Sequence, residues 1–246
     1  MEHTNHCGHK HFSIEDRIAM DQQWATVVLG GRLEISETLM HLITKSRFIL
    51  AADGGLDHLM KIEILPSILV GDFDSISDEA RAWSKEKEII KESYPQNKDR
   101  TDGEIALDRT IQEGFTHIFV LGSSGDFRPD HFLSILQYCL HMHKRFGITF
   151  VITDGKNYYF PILGPTEKRI DMNHFYTRES VLDVKVSLIP WSPLNGLSYE
   201  GLIYGGEIMQ AQIGTSRFVS NQVKPGEDSF TIRLESGEAL LILSLE

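Results

Sequence analysis

The 246-residue sequence has two cysteines, Cys7 and Cys139, and neither lies in a C-x-x-C pair, which excludes a disulfide framework and a four-cysteine zinc site. That count fits a reducing compartment. Basic residues are also in deficit: 24 Lys and Arg against 35 Asp and Glu give a formal net charge of -11. Nucleic-acid backbones and anionic membranes need a basic footprint, so neither is expected as the main partner. A cationic ligand or a metal suits the charge better. No apolar run approaches the roughly 20 residues that span a bilayer, and the start, "MEHTNHCGHKHF", carries no apolar signal segment. The expected location is the cytoplasm. Several common templates are missing too: G-x-x-x-x-G-K-[ST], G-x-G-x-x-G after a strand, H-E-x-x-H and G-x-S-x-G.

What is present begins with ordinary composition, 41% hydrophobic and 24% charged, and enough length for a large core. From residue 25 to about 155 apolar runs alternate with amphipathic stretches. "ATVVLGG", "FILAADGG", "SILVGDFDS", "HIFVLGS" and "ITFVITDG" read as strands, and "EISETLMHLITK" and "DHFLSILQYCLHMHK" read as helices. This alternation predicts an α/β unit with a mostly parallel sheet. Beyond 156 the helical period disappears. "VLDVKVSLIPW", "GLIYGGEIMQAQIG", "DSFTIRL" and "EALLILSL" then read as short antiparallel strands of a second, all-β domain. The expected division is a His-rich tail over 1–20, an α/β domain over 21–155 and a β domain over 156–246. His3, His6, Cys7, His9 and His11 in the tail are types that ligate transition metals. A short polar segment ahead of the first strand, however, has little to pack against.

In open α/β sheets, ligands sit beyond the carboxyl ends of the strands, and the acids of the first half gather there. Asp53 ends "FILAADGG", and Asp72 and Asp74 end "SILVGDFDS", two apart and so facing one side of an extended segment. Magnesium takes one or two carboxylates plus phosphates and water, so the group suits a metal-phosphate complex. Gly54, Gly55 and Gly71 allow close backbone approach. More simply, Asp74 or Ser75 could cap the helix near "SDEARAWSK". In "PQNKDRTDGEIAL", Thr101 and Glu104 form a capping-box pattern. That leaves Lys98, Asp99, Arg100 and Asp102, charges of both signs at a helix start where anions are attracted. In "LGSSGDFRPDHFLSIL", a glycine-containing loop with Gly122, Gly125 and Arg128 precedes a helix that Asp130 could cap, with His131 next to it.

Taken in order, "ADGG" (52–55), "GDFDS" (71–75), "KDRTDGEIAL" (98–107), "RPDH" (128–131) and "SN" (220–221) resemble the thiamin pyrophosphokinase family, over most of residues 25–245. The resemblance implies an α/β catalytic domain, a C-terminal β-sandwich domain and a homodimer. It implies magnesium-dependent transfer of the terminal pyrophosphate of ATP to thiamine, giving thiamine diphosphate and AMP. By the same resemblance Asp72 and Asp74, helped by Asp99 or Asp102, would hold the metal. Asp53, Gly54, Gly55 and the loop to Asp130 would form the nucleotide site, with Lys98, Arg100, Arg128 and His131 among its contacts. Asp102 or Asp99 would accept the hydroxyl proton. Ser220 and Asn221, with Ser216 as a rival match in "GTSRFVSN", would meet thiamine across the dimer interface, making the active sites shared. The permanent thiazolium charge suits an acidic pocket. The chain departs from the family pattern in "GDFRPDH", which holds an extra residue and the acid Asp126, and in Ser134, where an Asn is usual. Two rival readings are a pyrophosphokinase acting on another hydroxymethyl substrate such as a pterin, and a nucleotide-binding sensor without turnover.

Overall fold

The computed structural model describes residues 24–94, 99–124, 128–177 and 180–245. The His-rich tail, Lys98, Gly125 and Asp126 lie outside these residues. Six strands form the first part of a nine-stranded sheet: β1 (Trp24–Val28), β2 (Phe48–Ala52), β3 (Ile68–Gly71), β4 (Lys91–Ser93), β5 (His117–Leu121) and β6 (Thr149–Thr153). They pair in parallel in the order β4-β3-β2-β1-β5-β6. The chain therefore steps outward from β1 on one side and then returns to place β5 on its other side. The topological switch point lies between β1 and β5, where crevices open at the carboxyl ends of the strands.

Helices cover both faces of this half. On one face lie α1 (Glu37–Lys45), α2 (Gly55–Lys61) and α3 (Asp78–Glu86), whose Leu39, Ile43, Leu56, Leu59 and Ala80 pack on the sheet. On the other lie α4 (Asp102–Gln112) and α5 (Pro129–Phe146), which bury Ala106, Leu107, Ile135, Leu136 and Cys139 against Val27, Leu50, Val70 and Val120. β1 is accordingly buried at all five positions, as expected of a parallel strand covered on both faces.

After a turn at Asp154, β7 (Asn157–Leu163) pairs antiparallel with β6 through only two residue pairs, Ile152 with Tyr159 and Thr153 with Tyr158. β13 (Glu238–Leu245) and β9 (Val184–Pro190) then complete the sheet as β7-β13-β9. A second, antiparallel sheet has the order β11-β10-β12-β8, from β11 (Gly206–Ala211), β10 (Leu194–Glu200), β12 (Ser229–Leu234) and β8 (Thr166–Asp171). Its Phe230, Ile232 and Leu234 share a core with Phe160, Leu188 and Leu241 of the first sheet. The fold class read from the sequence is thus found: a mostly parallel sheet flanked by helices, followed by an antiparallel β layer packed as a sandwich. The sheet itself runs on through residue 155, joined there by the short β6–β7 hairpin. β9 alternates buried and half-buried positions along its whole length, unlike β1, because only one of its faces meets the core.

Candidate active site

Three carboxylates meet at the carboxyl edge of the parallel strands. Asp53, directly after β2, is 9% exposed and adopts φ 43°. Burial pushes its carboxyl up to about 7, the Phe73 N–H opposes that shift, and the nearby charges of Asp102 and Asp72 add to it. Asp102, the first residue of α4, lies within hydrogen-bonding contact of Asp53. The Asp53 carboxylate occupies the space beside Gly71 so closely that a Cβ there would stand 1.9 Å from Oδ1. Gly71 also has φ 135°, so both clearance and backbone reserve the position for glycine.

The turn after Gly71 arranges the other acids. Phe73 has φ 67° and donates its N–H to Asp53 Oδ1 at 2.9 Å, while Asp74 donates its N–H to Asp72 Oδ1 at 3.1 Å. Asp72 is half-buried and Asp74 exposed. The cap of α3 is Ser77, whose hydroxyl accepts from Ala80 N–H at 3.1 Å. Neither Asp74 nor Ser75 caps that helix, so the simpler reading of those two residues is corrected. The extended backbone of Ser77 (φ -60°, ψ 157°) supplies the N-cap geometry three residues beyond Asp74.

The Thr101–Glu104 capping box is present as read, with the Thr101 hydroxyl accepting from Glu104 N–H at 3.2 Å and the Glu104 carboxylate from Thr101 N–H at 3.3 Å. It fixes the start of α4 and so the placement of Asp102. Asp99 and Arg100 take a different direction. With Tyr94, Ile105 and Asp108 they line a cavity of about 390 Å³. Arg100 pairs there with Asp108, which also accepts from the Tyr138 hydroxyl.

Arg128, Asp130 and His131 form a group of their own at the start of α5. The Arg128 guanidinium donates to both oxygens of Asp130, at 3.1 and 2.9 Å, and contacts His131 Nε2. That pairing holds the Asp130 carboxyl down at about 2. The N-cap position is Arg128, with Pro129 opening the helix. Asp130 is therefore a first-turn residue and not the cap, because its side chain is taken up by Arg128.

Sequence reasoning missed four contributors. Gly30 and Gly31 follow β1 at the switch point, and a Cβ on Gly31 would stand 2.3 Å from the Ser124 carbonyl oxygen. The signal was available in "VVLGG", a glycine pair closing a strand. His58 holds the same turn from α2, its Nε2 2.8 Å from the Gly31 oxygen, and burial lowers its pKa towards the neutral form. Arg81, on α3, donates to the Phe73 carbonyl at 2.6 Å. Nothing in the sequence marks those two contacts, since each joins elements that only the fold brings together.

The second group of expected residues stands elsewhere. Asn221 is 8% exposed, and both ends of its side-chain amide are engaged. Oδ1 accepts from Tyr204 N–H at 3.0 Å and Gln222 N–H at 2.9 Å, and Nδ2 donates to Tyr204 O at 2.8 Å. Its backbone pairs with Val186 on β9, by bonds of 2.7 and 2.9 Å. Ser220, at φ 62°, and Ser216 are exposed. Seven strand intervals separate β3 from β9, roughly 30 Å at about 4.8 Å per interval.

Carboxylate oxygens beside strand ends suit a hard divalent cation. Asp53 is already raised by the charges of Asp72 and Asp102, a repulsion that a cation would relieve. Among the described residues no three His, Cys, Asp or Glu side chains close into a ready cage. The set fits a metal that completes its shell with phosphate and water. Among the described residues, no helix is long and apolar enough to cross a membrane.

Comparison with known proteins gives one consistent answer. Residues 39–152 match the family described as thiamin pyrophosphokinase, catalytic domain. The thiamine pyrophosphokinase of Bacillus subtilis (strain 168) is 26% identical over 208 residues, covering 83% of this chain and 92% of that protein. Among solved structures, thiamine pyrophosphokinase from Bacillus subtilis superposes with a TM-score of 0.78 at 23% identity, covering 91% of this chain and 100% of that one. Thiamin pyrophosphokinase from Geobacillus thermodenitrificans gives 0.75 at 23%, over 91% and 98%. Thiamin pyrophosphokinase from Candida albicans gives 0.72 at 17%, over 92% and 90%. At these identities the structural likeness speaks for the fold.

Proposed function

We propose that this chain, whose α/β domain belongs to the thiamin pyrophosphokinase family, transfers the pyrophosphate of ATP to the hydroxyl of thiamine, with magnesium, releasing AMP. The observation that carries the reading is the convergence of Asp53, Asp72 and Asp102 at the strand ends beside the glycine turns after β1 and β2.

In the reaction, the hydroxyl oxygen of thiamine bonds to the β-phosphorus of ATP, and the bond from that phosphorus to the bridging oxygen of AMP breaks. Such chemistry needs in-line positioning and charge neutralisation above all. Asp72 and Asp74, with Asp99 or Asp102, would hold magnesium, which neutralises the triphosphate charge. Asp102 is our candidate for the released hydroxyl proton. It opens α4 in contact with the buried Asp53, which also feels the charge of Asp72, whereas Asp99 faces the outer cavity. Gly54 and Gly55, at the start of α2, offer backbone to the nucleotide. Lys98, Arg100, Arg128 and His131 are its proposed side-chain contacts, the last two once Arg128 leaves Asp130.

The segment of Ser216, Ser220 and Asn221 would meet thiamine on a second subunit. Their lateral distance from β3 within one chain, roughly 30 Å, far exceeds the length of thiamine. Around Asn221 the apolar side chains of Ile203, Tyr204 and Val219 are 45–75% exposed, a surface suited to a second copy. Asn221, bonded to backbone at both ends of its amide, would act by holding the segment that carries Ser220. We further propose a cytoplasmic homodimer with domains divided near residues 20 and 155.

The reaction is tested by product analysis. AMP, and not ADP, should appear from ATP only when thiamine and magnesium are both present. Release of AMP with a hydroxymethylpterin in place of thiamine would reassign the acceptor, and binding of ATP without turnover on either would leave a sensor. The shared site is tested by mixing Asp72→Asn and Asn221→Ala subunits in equal amounts. Half the dimers are then mixed, each with one undamaged site, so about a quarter of all sites should recover. No recovery, with mixed dimers present by mass spectrometry, would place the whole site in one subunit.

A further inference from the structure

We infer that Arg81 is a positioning residue for this site: by fixing the Phe73 peptide it sets the relative placement of Asp72 and Asp74. The inference rests on reading those two acids as metal ligands.

Phe73 stands between the two acids at φ 67°, a region that residues with a Cβ rarely occupy. Its ring packs against the core beneath α1–α3, so the residue cannot swing out freely. Both polar atoms flanking it are held from outside the turn. Its N–H is donated to Asp53 Oδ1 at 2.9 Å, from the end of β2, and its carbonyl accepts from the Arg81 guanidinium at 2.6 Å, from α3. The consequence is local: with Phe73 left-handed, Asp74 folds back to donate its N–H to Asp72 Oδ1 at 3.1 Å. The extended segment expected from the sequence is therefore not what is found: there the two acids would face one side but stand about 7 Å apart along the strand, without this bond.

Arg81 is itself mounted on a fixed element. The start of α3 is capped by Ser77, whose own N–H is donated to Asp57 Oδ2 of α2 at 3.3 Å. The guanidinium therefore reaches the Phe73 carbonyl from a helix tied to its neighbour. Groups that orient metal ligands in this way affect affinity without touching the metal. A structural staple alone would show in melting temperature and leave ion affinity in proportion.

The test measures binding of Mn²⁺ together with a non-hydrolysable ATP analogue, by counting free Mn²⁺ with electron paramagnetic resonance, alongside thermal melting. Arg81→Met should weaken Mn²⁺ binding about tenfold or more. Glycine adopts the left-handed turn without steric cost. In a Phe73→Gly background the same Arg81→Met change should therefore cost no more than about threefold, the non-additivity of coupled groups. An unchanged affinity in Arg81→Met, or an equal loss in both backgrounds, would overturn the inference. If Arg81→Met does not fold, Arg81→Lys in the two backgrounds gives the same decision, with a loss confined to Phe73 chains expected. A wild-type protein that binds no Mn²⁺ with the analogue would instead overturn the metal-triphosphate reading, and the positioning role with it.

Discussion

The turn at Asp72–Phe73–Asp74 and the segment at Ser220–Asn221 use polar residues in opposite ways. In the first, the residue between the acids is held by its neighbours: Asp53 and Arg81 take the Phe73 peptide, and Asp74 donates its N–H to Asp72. In the second, the motif residue is itself the fastener, with both side-chain ends of Asn221 spent on the backbone at Tyr204 and Gln222. The first arrangement sets acids at a strand end where a ligand can reach them, and the second spends an amide to shape a loop that presents others. A polar residue in a motif can therefore serve a reaction by exposure or by anchorage, and mutation separates the two.

The largest expected effect is on rate. Asp72→Asn and Asp74→Asn should each lower kcat by at least about a hundredfold, with the circular dichroism spectrum and melting temperature close to wild type. Activity retained at saturating magnesium in either variant would make that acid a turn residue. Next in size is Asn221→Ala, which takes a buried amide from the Tyr204 carbonyl and from the N–H groups of Tyr204 and Gln222. A loss of about 2–3 kcal/mol, seen as a melting temperature lower by roughly 5–10 °C, is expected before any specific loss of turnover. An unaltered melting temperature with a dead site would move Asn221 from anchor to ligand contact.

A smaller effect concerns Asp53 without divalent metal. Its carboxyl is raised to about 7 in the folded protein from 3.8. Between about pH 4 and pH 7 the folded state therefore holds more protons than the unfolded one, and stability falls as pH rises through that window. Asp53→Asn keeps the oxygen that Phe73 donates to and removes the titration. The variant should gain on wild type by on the order of 2 kcal/mol from pH 5 to pH 8, measured by urea unfolding in chelator. A constant difference across pH would mean that Asp53 ionises normally. The smallest effect is expected at the other end of the chain. Deleting residues 1–20 should leave the transfer rate unchanged, because the site is assembled from β1 onwards, and a metal bound by the tail and needed for turnover would contradict this.

Much of this was legible in the sequence because it is local. Apolar runs such as "HIFVL" closed by glycine gave the parallel strands, since a strand buried on both faces has no polar position to hide it. The Thr101–Glu104 pair marked the start of α4, since a capping box is a contact across three residues. The half-exposed strands were harder: β7, β8 and β10 were not read, their residues alternating or mixing polar and apolar types until paired.

The sequence by itself determined which acids stand at strand ends and which residue types are available to a metal and a phosphate. Those follow from chain-local spacing and side-chain chemistry. Only the tertiary structure decided that Asp102 turns to Asp53 while Arg100 turns to Asp108 and Asp99 lines the same cavity, that Ser77 and Arg128 take the caps, and that Arg81 holds Phe73. It also put Asn221 against β9, which lies seven strand intervals from β3. Each of these depends on a contact between elements far apart in the chain, and such contacts are chosen by how helices and strands pack around a shared core, which no local pattern encodes.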